Sequence, residues 1–188
     1  RDAQRTKPFT RSTILRLFSQ SKPITAAAAM ILVERGLLDL EEPVSDILPS
    51  FKDQRVCKTM DSKPMTDFFT DGAKGGALSG DVSDAERAKE KKAEEEITEP
   101  LSRPLIVRNL LTMTSGLPYP TMAHLAGQQV NVIFNDLIHR LRTDHEMTTA
   151  EFADRMGRTV LHFQPGSHWE YGTSADIMGA IIEKVSGQ

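Results

Sequence analysis

The chain has 188 residues, enough for one domain with a real core. Its formal net charge of −3 offers no basic footprint for nucleic acid, and no apolar run approaches the length of a membrane span. A single cysteine, Cys57, excludes an internal disulfide framework and a cysteine metal cluster, and reads as a small half-buried side chain in a loop.

Residues 1–10 are polar and carry no pattern. Ile14, Leu15, Leu17 and Phe18 form a short apolar run compatible with strand or helix. Ser19-Gln20-Ser21-Lys22-Pro23 then opens an apolar helix, in which Ile24, Ala27, Ala28, Ile31 and Leu32 recur at helical spacing before Gly36 stops it. A serine and a lysine three apart share a helix face. The first turn carries unpaired N–H groups and a positive dipole end that favour a developing oxyanion. Burial is expected to lower the Lys22 pKa so that the amine takes the Ser19 proton. On the motif alone Ser19 suits a plain helix cap better than a nucleophile, and Pro23 disfavours helical geometry at Lys22.

Residues 37–40 look extended, and residues 41–48 make a turn of helix through Val44, Ile47 and Leu48 that Pro49 ends. Residues 52–100 change character: glycine and small residues, then a dense Lys/Glu mixture that cannot bury a face. They read as a charged, flexible insertion. Lys74-Gly75-Gly76 within it lacks the surroundings of a phosphate loop. A short helix is predicted within residues 105–118, ended by Gly116 and Pro118. Val130, Ile133, Phe134, Leu137, Ile138 and Leu141 mark an amphipathic helix, and Thr148 with Glu151 forms a capping box for the next. After the turn Gln164-Pro165-Gly166-Ser167, an irregular approach leads to a last helix that starts near Thr173 or Ser174 and stops at Gly187. The five histidines show no ligand spacing and read as surface or packing residues.

Three stretches together resemble one family, the serine hydrolases with the class C β-lactamase and penicillin-binding-protein fold, including their esterase branch. They are Ser19-Gln20-Ser21-Lys22-Pro23 with the helix it opens, Val107-Arg108-Asn109-Leu110-Leu111-Thr112-Met113-Thr114-Ser115-Gly116-Leu117, and Pro165-Gly166-Ser167-His168-Trp169-Glu170-Tyr171-Gly172-Thr173-Ser174. The resemblance implies an α+β fold of the β-lactamase/transpeptidase type, with residues 1–188 a partial domain holding the mainly helical part. It implies that Ser19 is the acylated nucleophile, Lys22 the lysine that moves its proton, and Tyr171 the general base and later acid. Ser115 and Gly116 fall to helix-end chemistry. No cofactor or metal is implied, and the expected partner is a small ester or amide.

Two departures shape this expectation. Family members often carry asparagine two positions after the tyrosine, where this chain has Thr173, which tilts the reading from β-lactamase or D-amino-acid peptidase toward esterase. The family's later glycine-ended strand motif, with the second oxyanion N–H, does not occur before Gln188. The chain is therefore expected to be weakly active alone and to leave the Ala26–Ile31 helix face uncovered, awaiting the rest of its own chain or another protomer. Arg1 in place of methionine points to an upstream segment, and no compartment is read. A non-catalytic scaffold of the same fold is the rival of another class.

Overall fold

The computed structural model describes residues 6, 8–60, 95–141, 143 and 145–187. A 3-10 turn, Phe18–Gln20, leads into α1 (Ser21–Glu34), followed by α2 (Val44–Ile47) and β1 (Arg55–Cys57). After β2 (Thr98–Pro100) come α3 (Val107–Leu111), α4 (Leu125–Arg140), α5 (Thr149–Met156) and α6 (Ser174–Ser186). The phosphate-loop look-alike at Lys74-Gly75-Gly76 lies outside the described residues.

α6 is the hub. It buries Ile177, Met178, Ala180 and Ile181 and packs against α1, α3 and α5. It ends where the sequence places its stop, because Gly187 adopts φ 75°, a left-handed conformation that costs glycine nothing. α1 lies along α6 but buries only Ala29 and Leu32, leaving Ile24, Met30 and Ile31 largely exposed. Of the Ala26–Ile31 face expected to be uncovered, Met30 and Ile31 are exposed while Ala29 is fully buried. The helix-forming pattern of α1 is thus real, but most of it does not meet this core.

The ends of the 52–100 segment depart from the sequence reading. β1 and β2 pair antiparallel, Val56 opposite Glu99, with Val56, Cys57 and Thr98 buried. Cys57 is therefore a strand residue in the core rather than a loop residue. Three-residue strands carry too little alternation to stand out against a charged background.

α4 and α5 are tied by charge as well as by packing. Arg140 pairs with Glu151 and, across one helical turn, with Asp136, which also meets Arg155. The Arg155 hydrogen bond holds the Asp136 carboxyl below its ordinary range, and Arg140 does the same for Glu151. Depressed carboxyl pKa values add stability above the ordinary carboxylate range that is lost as pH falls through the lowered values. An Arg140→Met variant should accordingly show a shallower loss of melting temperature on acidification below about pH 5. Equal slopes for variant and parent in thermal melts across that range would contradict this.

Candidate active site

Ser19 sits in the 3-10 turn and Lys22 at the second residue of α1, so the helix starts two residues later than the sequence suggests. Phe18, at φ 49°, makes the bend that brings the chain into this turn. Side chains three apart eclipse in 3-10 geometry. Lys22 Nζ accordingly lies 3.4 Å from Ser19 Oγ. Ser19 itself is exposed, and no side chain caps α1, so the cap reading of Ser19 has no bond behind it.

Two phenols flank the lysine. Lys22 Nζ donates to Tyr119 Oη at 2.8 Å and lies 4.8 Å from the Tyr171 ring centre. The rings of Tyr119 and Tyr171 are 5.7 Å apart. The pKa logic of the sequence reading is reversed here. Desolvation does pull the Lys22 ammonium down, but hydrogen bonds to Tyr119 and then Tyr171, with their charges, outweigh it and the net shift is upward. The lowered group is Tyr171, through hydrogen bonding to Ser19 first and Lys22 second, against slight desolvation and the charge of Asp176. The two shifts run opposite ways, favouring the ammonium at Lys22 and the phenolate at Tyr171.

Tyr119 escaped the sequence reading. It follows Ser115-Gly116-Leu117, a stretch assigned to ending a helix, although α3 ends earlier, at Leu111. The available signal was an aromatic hydroxyl held between Pro118 and Pro120, whose fixed φ values stiffen the loop. Ser115 is structural: its buried hydroxyl hydrogen-bonds that of Ser174 at 2.7 Å and accepts from the Leu117 N–H.

Main-chain contacts set the position of Tyr171. Gly172 forms an antiparallel bridge with Pro118, and the Thr173 N–H donates to Leu117 O at 3.2 Å. The strands approach so closely that a Cβ on Gly172 would stand 2.0 Å from Leu117 O. Gly172→Ala should push residues 171 and 172 away from the 117–119 loop and lower turnover about a hundredfold, the scale of a 1 Å misplacement. Kinetics on the variant, with its melting curve as control, measure this; wild-type turnover would contradict it. Thr173 is fully buried, with its hydroxyl 3.5 Å from Pro118 O, so it presents no side chain to a bound acyl group.

A cleft of about 200 Å³ runs beside Lys22 between α1, α3 and α6, floored by Leu110, Leu111 and Met178. On the opposite side of the 169–172 segment lies a cluster of histidines. His139, His145 and His168 are exposed, whereas His124 and His162 are buried and stacked, ring centres 3.6 Å apart. With Glu170 they place three ligand-type atoms within 4.8 Å of one another. The hydrogen bond to His124 does not suit a metal ion. The Gly127 N–H donates to His124 Nδ1, which leaves the proton on Nε2, the nitrogen turned to Glu170. His162 faces the Glu170 carboxylate with Nδ1 and the Met60 carbonyl with Nε2, both acceptors. On His124 the proton stands where a cation needs a lone pair.

A sequence model of the Beta-lactamase family matches residues 1–188. The chain is 28% identical over 188 residues to Esterase EstB of Burkholderia gladioli, covering 100% of this chain and 36% of that protein. It is 29% identical over 180 residues to Acyltransferase calJ of Penicillium decumbens, covering 96% of this chain and 34% of that protein. Among solved structures it resembles EstCE1, a hydrolase with promiscuous acyltransferase activity, at TM-score 0.59 and 23% identity, covering 100% of this chain and 37% of that one. It also resembles unliganded simvastatin synthase (LovD) of Aspergillus terreus, at TM-score 0.58 and 23% identity, covering 100% of this chain and 38% of that one. The fold is therefore of the β-lactamase/transpeptidase type. The chain spans roughly a third of the length of these relatives, and its described part is mainly helical with one two-stranded sheet.

Proposed function

This chain belongs to the Beta-lactamase family, and from that premise we propose that it bears the nucleophile of a serine hydrolase acting on a small ester or amide. What supports the reading is the convergence of Ser19, Lys22 and Tyr171, with Lys22 Nζ 3.4 Å from the Ser19 hydroxyl and the Tyr171 phenol lowered by both. In the proposed cycle the Tyr171 phenolate takes the Ser19 proton as Oγ attacks the carbonyl carbon. The Lys22 ammonium stabilises the phenolate before this step. As the tetrahedral intermediate collapses, the bond to the leaving alcohol breaks and Tyr171 returns the proton to the departing oxygen. Water then attacks the acyl-enzyme, giving its proton to Tyr171, and Ser19 leaves reprotonated.

Ester substrates suit the site better than β-lactams. The family's amide-holding asparagine has Thr173 in its place, and that side chain is packed inward. The names of the relatives, an esterase and an acyltransferase, fit a site that handles acyl groups. Fluorophosphonate treatment of the full-length protein should add one phosphonyl group, located on Ser19 by mass spectrometry, and p-nitrophenyl butyrate should turn over faster than nitrocefin. No labelling of a folded protein would favour a non-catalytic scaffold, and faster nitrocefin turnover would favour a lactamase.

A further inference from the structure

Successive side chains of an extended segment point to opposite faces. Tyr171 points to Lys22, and Glu170, the residue before it, points to the buried histidine pair. We infer that Glu170, held by His162, is a positioning residue that fixes the Tyr171 phenol against Lys22. This rests on the assignment of Tyr171 as the base.

Three parts of the chain meet at this carboxylate. His162, which follows the Leu161 bridge to Val56, stands 2.9 Å from Glu170 Oε2 through Nδ1. His124 is the N-cap of α4, its Nδ1 committed to the Gly127 N–H, with Nε2 4.0 Å from Glu170 Oε1. Met60, just past β1, occupies the far nitrogen of His162 at 3.1 Å. The main chain agrees, since the Glu170 N–H donates to Met113 O at 3.0 Å. The His162 ring thus bridges the Met60 carbonyl and the Glu170 carboxylate. His124 is pushed toward its neutral form, by desolvation first and by His162 second, against the pull of Glu170. The stacked, buried rings of His124 and His162 pack with the half-buried Glu170 carboxylate, and polar groups joined in this way rigidify their surroundings.

The catalytic consequence is indirect. Glu170 lies on the far face from Ser19 and touches no reacting atom. Its loss frees the side-chain anchor on one flank of Tyr171, while Gly172 keeps the other. The phenol then spends less time against Lys22, so its pKa returns toward that of free tyrosine and fewer molecules hold the phenolate.

The test uses the full-length protein and reads kcat against pH. Glu170→Gln should lower kcat about tenfold with KM within twofold, and should move the ascending limb of the pH profile upward. His162→Leu should do the same. His162→Asn, whose amide keeps a donor where Nδ1 stood, should restore the limb to the parent position. A Glu170→Gln variant with an unmoved limb overturns the inference, as does His162→Asn behaving like His162→Leu. Loss of activity with a chelator, restored by Zn²⁺, would overturn it in favour of a metal site. Tyr171→Phe run in parallel separates the two ideas: if that variant keeps its rate, the base assignment has failed, whereas a dead Tyr171→Phe beside an unaffected Glu170→Gln defeats the positioning role alone.

Discussion

Ser19→Ala should reduce ester turnover by about 10⁴–10⁶-fold, the scale seen when a nucleophile of a coupled catalytic unit is removed. The loss should appear in kcat, because the hydroxyl does covalent work rather than binding. The fold should not be affected. Ser19 is exposed in the turn before α1, and its hydroxyl has Lys22 Nζ as a partner at the rim of the long side-chain distances, 3.4 Å. Thermal melts of parent and variant should therefore coincide, so a fall in rate cannot be blamed on unfolding. A variant that retains more than a tenth of the parental rate would remove Ser19 from the mechanism and leave the scaffold reading in its place.

Strong local signals made much of the helical architecture readable from residues alone. α6 is the clearest case, since its apolar spacing and its terminal glycine agree, and Gly187 takes the left-handed conformation that ends it. Thr148 likewise caps α5, accepting from the Glu151 N–H at 3.1 Å. The nucleophile motif was legible as a pattern, but its geometry was not. The start of α1 shifts past Ser19 because a 3-10 turn intervenes, and hydrogen-bond energies decide that locally.

Long-range groups were out of reach for a different reason. Tyr119 meets Lys22 across 97 positions, and His162 meets Met60 across 102. No periodicity encodes such encounters. The expected downward shift of Lys22 failed on the same ground: desolvation is a property of the residue and was foreseen, but the two phenols that outweigh it arrive from distant loops. The site is thus a sum of one local motif and several tertiary meetings; residue patterns supply the motif, and of the distant partners only Tyr171 is named, by the family resemblance.

Tyr171→Phe should lower kcat by about 10²–10⁴-fold, the usual contribution of a positioned general acid–base group. Tyr119→Phe is the comparison that gives this number meaning. Both phenols reach Lys22, yet Tyr171 is the one whose pKa Ser19 and Lys22 lower. Removing the Tyr119 hydroxyl takes one partner from the ammonium while leaving the proton path intact, so its effect should be smaller, about tenfold. The parent enzyme should also carry a distinctive pH profile. The proposed cycle needs the Tyr171 phenol deprotonated and Lys22 protonated. Because the phenol is lowered from 10.0, the rate should begin to rise below that value. Because the ammonium is raised from 10.5, the descending limb should lie above that value. The limbs belong to the coupled pair rather than to either residue alone. In Lys22→Met the cation is gone, and the ascending limb should move back toward pH 10, the ordinary phenol value, along with a large loss of rate. An ascending limb that stays put in Lys22→Met, or a Tyr119→Phe variant as damaged as Tyr171→Phe, would exchange the roles of the two phenols.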